Sequence, residues 1–131
     1  MTTIFSRIIA GEIPCYKVAE SDKFFAFLDI NPLKQGHTLV VPKVEVDYLF
    51  DLDDELLAEM TIFAKRVAVA IGRSVECSRV AMTVIGLEVP HAHIHLIPIE
   101  SEGDVDFKKS RVELSSEEFA AIAQRIGDNI I

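Results

Sequence analysis

Three of the chain's four histidines stand at alternate positions in the run His91-Ala92-His93-Ile94-His95, which continues into Leu96-Ile97. Alternation of this kind predicts a strand. A strand over His91 to Ile97 puts the three imidazoles on one face at about 6.6–7 Å spacing. Ala92, Ile94 and Leu96 then form the opposite, anchoring face. Imidazoles gain little as packing, because every ring nitrogen must find a partner or stay hydrated. A displayed row of three therefore reads as chemistry rather than core.

Two chemistries compete for such a face. His-x-His on a strand is a good pair of zinc donors. However, His91 and His95 lie about 13–14 Å apart along an extended strand, so the three rings do not converge on one tetrahedral ion. No Cys-x-x-Cys pair or His-Glu-x-x-His run adds further ligands. A histidine-based zinc protein stays as an alternative, and no metal site is assigned. The other chemistry is phosphoryl or nucleotidyl transfer, in which a neutral imidazole attacks phosphorus through one nitrogen while the other donates to a fixed acceptor. There the central His93 attacks, and its neighbours hydrogen-bond phosphate oxygens or the leaving group. With no Gly-rich phosphate loop and no basic cluster, phosphate charge falls to imidazoles, backbone N–H groups and, with polyphosphate substrates, bound Mg²⁺. No cofactor is otherwise required. A catalytically idle nucleotide-binding module is the third reading, distinguished by AMP binding without a covalent adduct.

The elements that must position these residues can be read along the chain. Ile4, Phe5, Ile8 and Ile9 recur at helical spacing before Gly11 and Pro14, which predicts a short N-terminal helix. Tyr16 to Glu20 and Lys23 to Asp29 read as two strands joined by a tight turn at Ser21-Asp22, and His37 to Pro42 as a third after the loop 31–36. Leu56, Leu57, Met60, Phe63, Ala64, Val67, Ala68 and Ile71 predict one long helix over about Asp53 to Ile71, with Gly72 as its terminator. Its second half, Val67 to Ile71, is apolar all round. This predicts burial on two sides, the second by a dimer partner or by the C-terminal segment. Arg79 to Val84 and His91 to Ile97 are the remaining strands. Glu100 to Glu113 is polar and mostly loop, and a Ser115/Glu118 capping box opens a C-terminal helix. Connections too short for parallel crossovers make the sheet largely antiparallel. The expected architecture is α+β, about five antiparallel strands with one long helix and short N- and C-terminal helices.

With 131 residues, half of them apolar, the chain reads as one domain over 1–131, with a core over about 3–100 and a helical extension over about 101–131. A net charge of −8 argues against binding long nucleic acid, which needs clustered Lys and Arg. No apolar stretch approaches the roughly 20 residues of a membrane span. Met1 to Arg7 does not read as a signal peptide, so the expected compartment is the cytoplasm. Cys15 and Cys77 are read as buried thiols.

His91-Ala92-His93-Ile94-His95-Leu96-Ile97 fits His-φ-His-φ-His-φ-φ, with φ apolar, and resembles the signature of the histidine triad (HIT) family. The resemblance extends to 4–5 with 8–9, Glu12-Ile13-Pro14, Phe27 to Pro32 and Gly36 to Lys43, in the order and spacing of the Hint-like branch, and covers roughly the first hundred residues. It implies that His93 is the nucleophile that becomes nucleotidylated, with His91 orienting it, His95 contacting the α-phosphate and His37 in support. It further implies that Asp29 binds the ribose hydroxyls and that Phe5, Ile8, Phe27, Ile30 and Leu39 line the base pocket. The partner it implies is a small purine nucleotide. The reaction it implies is hydrolysis or transfer on a nucleoside phosphoramidate or dinucleoside polyphosphate. It also implies a homodimer with a sheet continuous across two subunits and the long helices packed together.

The chain departs from the family pattern where leaving groups are handled. Gly86-Leu87-Glu88-Val89-Pro90-His91 stands where Gly-Gln-Ser/Thr-Val-x-His is common, and Thr83 stands near the usual place of a phosphate-contacting asparagine. Leu87 cannot donate a hydrogen bond. Glu88 is a candidate proton donor to the leaving group, provided apolar neighbours such as Leu87 and Val89 keep it protonated. The alternative is an exposed loop acid with no role.

Overall fold

The computed structural model describes residues 2–131. Met1 of the expected domain lies outside them. Helix α1 (Ile4–Ile9) is capped by the Thr3 hydroxyl, which accepts from the Ser6 N–H and satisfies one of the helix's orphan donors. Strands β1 (Lys17–Glu20) and β2 (Phe24–Leu28) form the expected hairpin, closed by Ser21, whose hydroxyl accepts from the Phe24 N–H. Strand β3 (Thr38–Pro42) follows, then helix α2 (Asp54–Ser74), strands β4 (Arg79–Thr83) and β5 (Ile94–Ile99), and helix α3 (Ser116–Asp128). The sheet runs β1-β2-β3-β5-β4, antiparallel at every pairing.

Two expected boundaries are corrected. Helix α2 does not stop at Gly72 but runs on to Ser74. Its last turn is held from outside, since the Arg125 guanidinium of α3 donates to the Ser74 carbonyl and Asn129 donates to the Ser74 hydroxyl. These tertiary bonds to the Ser74 carbonyl and hydroxyl outweigh the roughly 1 kcal/mol that a helical glycine costs. Strand β5 begins at Ile94 and not at His91. The His91 N–H bonds the Val89 carbonyl and the Ala92 N–H bonds the Val46 carbonyl, so the first two histidines sit in a bend ahead of the sheet ladder.

Period-2 alternation divides the sheet into two faces. Val18, Phe24, Ala26, Leu28, Val40, Ile94 and Leu96 pack with α2 and α3 into the main core. Phe25, Phe27, Leu39 and Val41 point the other way and, with Phe5 and Ile8 of α1, form a smaller apolar cluster. The register pairs Phe27 with Leu39, Leu39 with His95 and His95 with Thr83. Those four side chains therefore form one row across the α1 face. On α2, Val67, Ala70 and Ile71 are buried while Val69 remains exposed. The C-terminal segment supplies part of the cover expected for this helix, because α3 lies along α2. Cys15 and Cys77 are free and half-buried rather than buried. Among the described residues, no helix is long and apolar enough to cross a membrane.

Candidate active site

The expected row of evenly spaced, displayed imidazoles is corrected in both respects. With His91 and His93 ahead of the ladder, the three rings leave the regular strand spacing, and the His93 and His95 ring centroids are 5.0 Å apart. All three rings are covered: His91 is 0 %, His93 6 % and His95 8 % exposed. His37, from the loop end before β3, is fully buried beside them. Gly36 sets its entry with φ +98°, and a Cβ there would stand 3.0 Å from the Val75 side chain, so the tight approach needs glycine.

Each ring's tautomer follows from partners whose roles are fixed. The Leu33 N–H donates to His37 Nδ1 at 3.0 Å, so His37 carries its hydrogen on Nε2. That nitrogen lies 2.9 Å from His95 Nδ1 and donates to it, which leaves the His95 hydrogen on Nε2. His93 Nδ1 is 2.7 Å from the His91 carbonyl, an acceptor only. His93 therefore holds a hydrogen on Nδ1, and the neutral ring has its lone pair on Nε2. His91 Nε2 lies 2.8 Å from the Pro42 carbonyl and donates there, while its Nδ1 faces the Thr3 hydroxyl at 2.8 Å. The site thus offers one outward lone pair, at His93, and one outward N–H, at His95.

Burial keeps the supporting rings neutral. His37 is pushed down to about 3, chiefly by loss of hydration and then by the charges of His95 and Arg111. His95 falls to about 4, again first by burial and then by the charges of His93 and Arg111. His91 is lowered too, by burial. Because the unfolded chain takes up protons near pH 6.5 that folded His37 and His95 refuse, stability is full above that pH and declines as pH falls toward 3. The expected slope is on the order of 1.4 kcal/mol per pH unit for each histidine. Urea midpoints at pH 7.0, 5.5 and 4.5 check this, and a midpoint that does not fall with pH contradicts it.

Of the residues expected at the nucleotide, Phe5, Ile8, Phe27 and Leu39 meet in one buried cluster beside the histidines. Phe5 stands edge-on to His93 at 5.1 Å and to Phe27 at 5.5 Å. Ile30 is 73 % exposed on the loop above. Asp29 begins a turn, its Oδ1 accepting from the Asn31 N–H at 2.9 Å, which leaves Oδ2 unused by that bond. Burial raises its pKa. Thr83 is His95's cross-strand neighbour. Glu88 is exposed, and Leu87, expected to shield it, is 89 % exposed. The 84–90 loop thus turns both of these side chains outward, while Val89 packs against the apolar cluster of Phe5 and Phe27.

Asp29, His37 and His95 bring donor atoms within 4.8 Å of one another. Their hydrogen bonds oppose a cation there. A lone pair on His37 Nε2 would place a hydrogen on Nδ1, directly facing the Leu33 N–H, and would break the bond to His95.

The sequence reading missed two neighbours from the polar stretch after β5. The Phe107 ring stands edge-on to His95 at 4.8 Å and to His37 at 6.2 Å. Arg111 lies over Phe107 at 5.6 Å and donates to the carbonyls of Asn31 and Phe107. An isolated aromatic amid charged residues was the available signal. Removing the ring, as Phe107→Ala, readmits water, so His95 and His37 are expected to titrate higher. Imidazole resonances followed by NMR against pH check this, and unmoved titrations contradict it.

Fold and site together define an α+β domain with a cluster of hydrogen-bonded imidazoles at one end of an antiparallel sheet. The HIT domain family model matches residues 10–102, and the chain belongs to the HIT family. It is 34 % identical over 132 residues to an adenosine 5'-monophosphoramidase of Schizosaccharomyces pombe, covering 99 % of each chain. It is 36 % identical to an uncharacterized HIT-like protein of Borreliella burgdorferi, covering 97 % of each. A hypothetical histidine triad nucleotide-binding protein of Sulfolobus tokodaii superposes with a TM-score of 0.84 at 32 % identity, over 96 % of this chain and 90 % of that one.

Proposed function

We propose that the protein is a nucleotide hydrolase or transferase acting on the α-phosphate of a nucleoside phosphoramidate or dinucleoside polyphosphate, through a nucleotidyl intermediate on His93. The observation that carries this reading is the His93 tautomer. With Nδ1–H held by the His91 carbonyl at 2.7 Å, the lone pair is on Nε2, and the carbonyl stabilises the positive charge that the ring acquires on attack. The Nε2–phosphorus bond forms as the bond from phosphorus to the leaving group breaks, and that group departs with the electron pair and takes a proton from solvent. His95 Nε2–H is placed to donate to a phosphate oxygen. Water then attacks phosphorus, its proton being lost to solvent, and the nucleotide leaves as the Nε2–phosphorus bond returns its electrons to the ring.

In this reading the phenylalanine cluster with Ile8, Leu39 and Ile30 receives a purine, and Asp29 Oδ2 takes the ribose hydroxyls. Mg²⁺ enters only with a polyphosphate substrate. The adenosine monophosphoramidase relative favours the phosphoramidate arm. The free thiols suit a cytoplasmic setting. A homodimer through the β4 edge and the exposed side of α2 would cover Met82, Val84 and Val69, all at least 40 % exposed here. Light scattering measures that mass directly.

The test is to mix the protein with adenosine phosphoramidate, follow AMP release, and measure intact mass after a rapid denaturing quench. A transient adenylyl adduct that localises to His93 is expected. AMP binding without turnover or adduct would instead identify an idle binding module.

A further inference from the structure

We infer that Thr3 is a positioning residue for this reaction, its hydroxyl fixing the His91 ring so that the His91 carbonyl is held where His93 Nδ1–H needs it. The inference rests on the reading of His93 as nucleophile given above.

The segment that carries the key carbonyl is buried but makes few main-chain hydrogen bonds. His91 and Ala92 lie ahead of β5, outside the ladder, each tied by a single main-chain bond to a loop residue. The His91 side chain, by contrast, is gripped at both nitrogens. On one side its Nε2–H donates to the Pro42 carbonyl at the end of β3. A neutral ring has only one hydrogen, so Nδ1 presents a lone pair, and the hydroxyl 2.8 Å away must be the donor. That hydroxyl belongs to Thr3, whose oxygen also accepts from the Ser6 N–H as the cap of α1.

Thr3 is itself pinned. Its main-chain N–H donates to Glu45 Oε1 at 2.7 Å, and the Ser6 hydroxyl donates to the same oxygen at 2.7 Å. A chain of hydrogen bonds thus runs from exposed Glu45, through the start of α1, to the ring of His91 and then, through its carbonyl, to His93. Phe5, two residues further into α1, stands against both His91 and His93, so the same short helix also braces the rings from the side. A ring fixed at both nitrogens has its side-chain torsions set, and with them the position of its own backbone. A valine at position 3 keeps the shape of threonine but cannot donate, which leaves a buried lone pair at His91 unsatisfied.

The experiment compares wild type, Thr3→Val, Thr3→Ser, Glu45→Ala and His93→Ala. Kinetics with adenosine phosphoramidate are measured beside ¹⁵N-resolved imidazole spectra of the ligand-free proteins. Thr3→Val is expected to lower kcat roughly 10- to 30-fold with KM within about twofold, since small misplacement of a reacting group falls on the chemical step. The downfield His93 Nδ1–H resonance is expected to weaken. Thr3→Ser should restore both to within about threefold of wild type. A Thr3→Val protein that melts earlier yet keeps its kcat and its His93 resonance overturns the inference, because capping alone would do that. If Thr3→Val does not fold, Glu45→Ala, altered only at the exposed end, decides. A loss of about threefold in kcat with a weakened His93 resonance supports the inference, and unchanged values overturn it. Equal and negligible turnover by wild type and His93→Ala would fault the functional reading. The His93 resonance would still judge the positioning.

Discussion

His93→Ala is expected to lower kcat by roughly 10³-fold or more while AMP affinity changes only a few-fold. Removing the ring removes the only outward lone pair among the four imidazoles whose tautomers the hydrogen bonds fix. The other three cannot substitute. His91 is committed at both nitrogens, His37 at both, and His95 presents a hydrogen. Phe27, Leu39 and Ile8, to which the proposed function assigns the base, pack mainly on one another, so this cluster survives truncation at 93, with Phe5 losing one edge contact. The variant is also expected to form no adduct. Single-turnover kinetics with calorimetric AMP binding check both halves, and residual turnover within tenfold of wild type would reassign the nucleophile.

His37→Leu carries the second large effect, and through a different route. Leucine fills most of the buried volume but provides neither the donor to His95 Nδ1 nor the acceptor for the Leu33 N–H. Two buried polar groups lose their partners, at about 1–3 kcal/mol each. His95, released from His37, is free to place its hydrogen on Nδ1, and then has no N–H to offer a phosphate oxygen. The expected result is a loss of roughly 10²-fold in kcat, together with a lower urea midpoint. His37→Gln, whose amide can donate toward His95 and accept elsewhere, should recover part of the rate. A His37→Leu protein with full rate would show that His95 does not act through its Nε2–H.

Legibility in the sequence followed the range of the interactions. The five strands, α2 and the capped α3 were readable because alternation, helical period and the Ser115/Glu118 box are properties of neighbouring residues. The boundaries that moved were those held from a distance. Gly72 reads as a stop, yet Arg125 and Asn129 from α3 keep the helix going for two more residues. His91 reads as strand, yet the Ala92 N–H turns to Val46 and the ladder starts at Ile94. Glu88 was judged by its sequence neighbours Leu87 and Val89, and a loop side chain's surroundings are not its sequence neighbours. Arg111, Thr3 and Glu45 were overlooked for the same reason, since 80 residues separate Arg111 from Asn31, 88 separate Thr3 from His91 and 42 separate Thr3 from Glu45.

The histidine run by itself pointed to imidazole chemistry, because three alternating rings gain little as packing in a strand-forming segment, and the family resemblance that the run carries implied the middle one as nucleophile. What only the tertiary structure decided is the state of each ring. A tautomer is set by whichever donor or acceptor meets the second nitrogen. Those partners are Leu33, Pro42, the His91 carbonyl and Thr3, brought from a loop, a strand end, a bend and a helix cap that only folding places together.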